Sequence, residues 1–156
     1  MFSPVIKLPQ AIATSKHPEN YVLFFDGCCK GNPGPGGAGA VLYKNEIEIW
    51  SDCAFVGKNV TNNIAEYTGL ILGLKQAAKV GIKHLIVNGD SQLAIKQMTG
   101  VYKVNSENLI ELYKTAKQLE KSFDGISYNH VYRKDNKRAD ALSNEGLIKV
   151  ESKQNG

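Results

Sequence analysis

The feature that most narrows what this chain can fold into is a change of hydrophobic period near Thr61. Before it, Tyr21 to Phe25 is a short β-rich apolar run that stops at Asp26-Gly27, and from Ala38 the sequence AGAVLYKNEIEIWSDCAF alternates at Ile47 and Ile49 beyond a turn at Lys44-Asn45. Period two broken by turn residues predicts three strands in succession, the last two an antiparallel hairpin. After it, Ile64, Tyr67, Ile71, Leu74 and Ala78 recur at steps of three or four residues. The cap chemistry of Thr61-Asn62 at one end and Gly81 at the other marks that segment as a helix.

The rest of the chain alternates between the two states. HLIVNGD is a continuous apolar run ended by Asn-Gly, expected as a strand covered on both faces. A short helix over Ser91–Thr99 closes at Gly100, and Leu109, Leu112, Tyr113, Ala116 and Leu119 mark another after Ser106. A strand at ISYNHVY and a helix from near Lys137 complete the order βββαβααβα, an α/β chain with a mixed sheet and helices on its faces. The folded unit is expected over 19–150, between a flexible N-terminal extension at 1–18 and a polar tail at 151–156. A chain of 156 residues buries about 68–70% of its unfolded surface, enough for one core without staples.

Composition excludes several classes. Cys28, Cys29 and Cys53 cannot all pair and show no CxxC, so they are read as reduced thiols rather than a disulfide framework or a zinc site. Pro4, Lys7 and Pro9 interrupt the opening apolar residues before they reach signal-peptide length. Residues 1–18 lack acids but also lack Arg, which makes a poor organellar presequence, and a cytoplasmic location is expected, nuclear or organellar ones remaining open. The sequon at Asn59 is then idle. No heptad pattern suggests a partner helix, so a monomer is expected.

Gly34-Pro35-Gly36-Gly37-Ala38-Gly39 satisfies G-x-G-x-x-G after a strand. A dinucleotide site needs a helix directly afterwards to receive the pyrophosphate, whereas here the next residues alternate as a strand. No Gly-Lys-Ser/Thr follows, so a P-loop fails too. The stretch is expected to be a wide turn between antiparallel strands.

Four acids fall at element ends. Asp26 ends the first strand and Asp90 the strand after the long helix; if those strands are parallel neighbours, both carboxylates leave the same sheet edge, where α/β proteins bind ligands. Glu66 lies early in the long helix and Asp140 in the first turn of the last one. Singly, each could be a turn residue or a helix-dipole partner. Together, carboxylates about 4 Å apart repel by roughly 4 kcal/mol at an effective dielectric of about 20, so such a cluster needs cations. Oxygen donors without His or Cys select hard ions, Mg²⁺ or Mn²⁺, and suit a two-metal site for phosphoryl transfer.

FFDGCCKGNPGPGGAGAVL, TNNIAEYTGLILGL, VNGDSQLAIKQMTG and HVYRKDNKRADALS resemble, in order, the four blocks of type 1 ribonuclease H, covering nearly all of 20–148. The resemblance implies a ribonuclease H-like fold, a five-stranded mixed sheet of three antiparallel strands then parallel ones, flanked by helices. It implies endonucleolytic hydrolysis of the RNA strand of RNA–DNA hybrids, leaving 5′-phosphate and 3′-hydroxyl ends, with the hybrid as partner and neither a membrane nor an organic cofactor. By motif, Asp26, Glu66, Asp90 and Asp140 would be catalytic metal ligands for two Mg²⁺ ions, Mn²⁺ being a substitute, with Asp26 shared between them. Cys29, Asn32, Asn62, Asn63 and Gln92 stand where the family contacts the hybrid's minor groove, and Thr61 where it holds a DNA-strand phosphate. A wide, shallow minor groove exposes the 2′-hydroxyl that such an enzyme must sense.

Two departures mark the shorter form of the family. RKDNKRAD has no loop His between the last strand and helix, and Arg133 is the expected phosphate contact there. His130 falls in the alternating strand and is read as a packed or surface residue. The region after Gly100 lacks the basic handle of some members, with Lys103 as a further contact. Residues 130–138 carry four bases against one acid, a patch suited to phosphates. Two alternatives stay open at this point, a non-cleaving binding module and a nuclease of different duplex specificity.

Overall fold

A computed structural model describes residues 20–154, with side chains to residue 149; the expected extension at 1–18 lies outside the described residues. Three strands come first, β1 (Tyr21–Cys29), β2 (Gly34–Lys44) and β3 (Ile47–Val60), followed by helix α1 (Asn62–Lys79). Then come β4 (His84–Gly89), α2 (Gln92–Met98), α3 (Glu107–Glu120), β5 (Gly125–His130), a 3₁₀ turn at Arg133–Asp135 and α4 (Lys137–Gln154). The order matches the periodicities above. Helix α4 continues into the stretch expected as a polar tail.

The five strands form one sheet in the order β3-β2-β1-β4-β5. β1–β2 and β2–β3 are antiparallel, whereas β1–β4 and β4–β5 are parallel, so the sheet is mixed as expected. Side-chain alternation splits the core into two layers. Leu23, Phe25, Leu42 and Val87 pack with Tyr67, Leu70 and Leu74 of α1, while Val22, Phe24, Val41 and Ile86 pack with Ala139 and Leu142 of α4. Each fully buried side chain of this size contributes roughly 1.5–3 kcal/mol of transfer free energy, which fixes the register: a one-residue slip would exchange the layers. No helix among the described residues is long and apolar enough to cross a membrane.

Two expectations need correction. The first strand does not end at Asp26-Gly27 but runs on to Cys29, and the glycine stretch is not a wide turn. Asp26 pairs with Gly39, Gly27 with Ala38, Cys28 with Gly37 and Cys29 with Gly36, leaving Lys30–Pro33 as the turn, closed by Lys30 N–H donating to the Pro35 carbonyl at 2.9 Å. Glycine is a poor strand former, but here α4 crosses β2 at backbone contact. A Cβ on Gly37 would lie 2.1 Å from the Ser143 carbonyl oxygen, and one on Gly39 2.5 Å from Leu142 Cβ. The hairpin turn is also one residue later than expected, at Asn45-Glu46, both with positive φ (50° and 70°) as a two-residue hairpin requires.

Gly37→Ala is expected to cost about 2–3 kcal/mol by overpacking α4 against β2. At Gly81, with φ of +81° and nothing within 4 Å of an added Cβ, alanine meets only the left-handed backbone penalty of about 1–2 kcal/mol. Urea midpoints of the two variants check the difference. A Gly37→Ala protein as stable as the parent would contradict the close packing.

Candidate active site

The parallel register of β1 and β4 sets Phe25 opposite Gly89, so the next residues, Asp26 and Asp90, leave the pair side by side. Helix α1 brings Glu66 to them because its backbone rests directly on β1. A Cβ on Gly27 would be 2.3 Å from the Glu66 nitrogen, and one on Gly69 2.4 Å from the Asp26 carbonyl oxygen. Glycine at both positions is what lets the helix come this close. The buried bond from the Tyr67 hydroxyl to Gln97 Oε1, 2.7 Å, ties the same helix to α2.

One carboxylate oxygen from each of Asp26, Glu66 and Asp90 lies within 4.8 Å of the other two. Asp26 is 4% and Glu66 9% exposed. Asp140, on α4, lines the same cleft, and its side chain adds to the upward push on Asp26. The cleft has a volume of about 450 Å³, and its walls also include Gly27, Cys28, Cys29, Asn62, His130, Tyr132 and Arg133. At 4.8 Å two full charges repel by about 3.5 kcal/mol for an effective dielectric of about 20. Burial, then the Asp90 charge, pushes Asp26 up to about 8. Burial, then the Asp26 and Asp90 charges, holds Glu66 well above the usual carboxylate range. Glu66 Oε2 is buried with no hydrogen-bond partner among the described residues. An orphaned buried oxygen in a set of oxygen-only donors fits a hard divalent cation.

The second cleft, about 440 Å³, lies across the start of α1. Thr61 and Asn63 line it and Asn62 lines the acidic one, so this helix end forms the ridge between them. The Thr61 hydroxyl accepts from the Ile64 N–H at 3.3 Å, and Asn32 Oδ1 accepts from the Asn62 N–H at 3.1 Å, holding the β1–β2 turn against the helix. Asn32, Gln97, Lys103, Asn105, Ser106 and Asn108 supply further polar walls, without an acid.

The four expected acids therefore share one cleft, with Cys29, Asn62 and Arg133 on its walls, while Asn32, Thr61 and Asn63 line the other. Gln92 is exposed and lines neither. His130, expected as a packed or surface residue, stands exposed at the rim of the acidic cleft, its ring edge-on to Tyr132 at 5.9 Å. Its place at the end of β5, opposite Gly89, was the available signal, because that register carries it to the edge where Asp90 emerges. Asn105 and Asn108 carried no signal in the sequence, since only the fold brings the start of α3 to α1. A larger cavity, about 710 Å³, lies at the opposite sheet end among Tyr21, Trp50, Ile82 and His84 and holds none of these residues.

Comparison with known proteins adds the following. Residues 24–146 match the family described as reverse transcriptase-like. The chain is 42% identical over 124 residues to ribonuclease HI of Halobacterium salinarum, covering 80% of this chain and 62% of that protein. It is 37% identical over 147 residues to ribonuclease H of Pseudomonas savastanoi pv. phaseolicola, covering 82% of this chain and 93% of the relative. Among solved structures, LC11-RNase H1 in complex with an RNA/DNA hybrid superposes with a TM-score of 0.78 at 31% identity, over 84% of this chain and 99% of that one.

The raised acids make stability depend on pH and on cations. Folded Asp26 and Glu66 keep protons that the unfolded chain releases near pH 4, so their contribution is present below that value and is lost as pH rises through about 8. In EDTA the melting temperature should fall by several degrees between about pH 5 and about pH 8.5, and divalent salt should remove the slope. Asp26→Asn should flatten it without salt. Thermal scans across pH check this, and a parent protein with no slope in EDTA would contradict the repulsive cluster.

Proposed function

We infer the activity of this chain from one premise and one geometry: it belongs to the reverse transcriptase-like family that matches its residues 24–146, and it gathers carboxylates of Asp26, Glu66 and Asp90 within 4.8 Å in a cleft that Asp140 completes. The function is hydrolysis of the RNA strand of RNA–DNA hybrids by a divalent-metal-dependent endonuclease, leaving 5′-phosphate and 3′-hydroxyl ends. The relative solved with an RNA/DNA hybrid supports the substrate, and the oxygen-only donor set supports the metal. Mg²⁺ is the proposed ion, two per site, with Mn²⁺ as a substitute. The active form is proposed to be a cytoplasmic monomer that needs no organic cofactor.

Bound ions supply positive charge at the scissile phosphate and lower the pKa of a nearby water. Everything else falls to the chain. Asp26, with Glu66 and Asp90 within 4.8 Å and Asp140 in the same cleft, would be a ligand shared by both ions. Glu66, Asp90 and Asp140 would complete the two ligand sets. Arg133, exposed on the cleft wall, is placed to hold a backbone phosphate of the cut strand. Asn62 on the ridge offers its amide to a 2′-hydroxyl in the minor groove, with Cys29 beside the acids and Asn32 and Asn63 across the ridge. Thr61 and Lys103 face the second cleft, which takes phosphates of the DNA strand. The exposed Gln92, one residue beyond the Ser91 cap of α2, remains a proposed groove contact.

Labelled RNA–DNA hybrid should be cut in Mg²⁺ and left intact in EDTA, and Asp26→Asn should lower turnover by more than about 100-fold while the fold persists. Retained turnover in that variant would refute the assignment. Labelled RNA duplex and DNA duplex, run in parallel, measure the specificity. Binding of hybrid without cleavage in any divalent metal would favour a non-cutting module.

Arg133→Ala should raise KM and reduce the slope of log KM against log salt by about one, as expected for one lost phosphate contact. Kinetics at three salt concentrations check it. An unchanged slope would remove Arg133 from the phosphate-binding set.

A further inference from the structure

We propose that Asn136 is a positioning residue: it braces the strand of Asp26 to the helix of Asp140 and thereby sets the affinity of the acidic cleft for divalent ions. The inference rests on the reading that these acids hold such ions. Asn136 sits between the 3₁₀ turn and α4 and is 1% exposed. Its Nδ2 donates to the Phe25 carbonyl at 3.0 Å, across 111 residues of chain. That carbonyl belongs to the peptide unit that carries the Asp26 nitrogen. Its own carbonyl accepts from the Asp140 N–H at 3.0 Å, a bond of the first turn of α4. Its N–H donates to the Arg133 carbonyl, also at 3.0 Å, closing the turn that presents Arg133 to the cleft.

One residue thus holds main-chain atoms at or next to Asp26, Asp140 and Arg133. Its surroundings do not otherwise call for an amide. Val131, Ala139 and Leu142, close to it in the chain, are buried in the apolar layer between α4 and the sheet. Asn136 Oδ1 is buried without a hydrogen-bond partner among the described residues. Burying an amide that satisfies half of its polar atoms is a poor way to gain stability, whereas a single directed bond to the Asp26 strand is a good way to fix a distance. The distance matters because Asp26 and Asp140 are carboxyl groups on the walls of one cleft, carried by different elements, and the Asn136 bond ties those elements together. Donors already assembled bind a cation more tightly than donors that must first be gathered.

The test uses the full chain and compares the parent with Asn136→Leu, which keeps the branched shape and the number of side-chain heavy atoms but cannot donate, with Asn136→Ala, and with Ile82→Val. The last thins the core at the far end of the sheet and controls for lost stability. Mn²⁺ binding by calorimetry, at a temperature where every variant is folded, is the first readout. The Leu and Ala variants should bind about 10–100-fold more weakly, whatever their melting temperatures, and Ile82→Val should bind as the parent does. The Mg²⁺ concentration for half-maximal hybrid hydrolysis should rise in proportion, with most turnover restored at saturation. If a variant is only partly folded in EDTA, the rise in its melting temperature on adding Mn²⁺ gives the same comparison. Parent-like Mn²⁺ affinity in both Asn136 variants would overturn the brace. A parent that binds no Mn²⁺ would instead overturn the reading of the cleft, and this inference with it.

Discussion

Mutual repulsion among buried carboxylates is the constraint on which the rest of this structure turns. Asp26, Glu66 and Asp90 come from a strand, a helix and the end of another strand, and at their separation each pair, when both members are ionised, opposes folding by an amount comparable to the contribution of a buried leucine. Such a cluster persists only because stronger terms hold its carriers in place. The parallel pairing of β1 with β4 fixes Asp26 beside Asp90, and the two-layer core prevents that pairing from slipping. Glycines at 27 and 69 seat α1 on the strand, so that Glu66 follows from helix position rather than from side-chain reach.

The same scaffold divides the binding surface by charge. The start of α1 separates a cleft rich in carboxylates from one walled by amides, hydroxyls and a lysine. On the proposed function, a duplex lying across the ridge would present one strand to each. On the same proposal, the acidic cleft would accept a polyanion only with cations present, which would link metal binding and substrate binding through the electrostatics of the carboxylates. The cleft with the chemistry is not the most capacious one. The larger cavity at the other sheet end is mostly apolar and lacks acids, and volume alone would have pointed to the wrong place.

Much of this was legible beforehand because the signals were local. The switch from period two to a helical period at Thr61, the Ser91 and Ser106 caps and the run HLIVNGD each report on a few neighbouring residues, and the observed elements start and stop within a residue or two of them. The glycine stretch misled for a physical reason. Local propensity reads Gly-Pro-Gly-Gly as a turn, but those residues form strand paired with β1 and β3, and at Gly37 and Gly39 helix α4, over a hundred positions later, packs backbone to backbone against β2. His130, read as a packed or surface residue, is exposed as that reading allowed, but only the pairing of β5 with β4 sets the strand's last residue at the rim of the cleft.

The sequence by itself determined which segments are strands and helices, their order, and which four acids stand at positions suited to a metal site, since these follow from spacing and residue type. The tertiary structure decided that the acids meet, how far apart they stand, that Glu66 keeps an orphaned oxygen, and that Asn136 reaches the Phe25 carbonyl. Periodicity constrains a side chain's direction relative to its own element only. Distances between elements are set by packing and by glycine-permitted backbone contact, which no window of sequence contains.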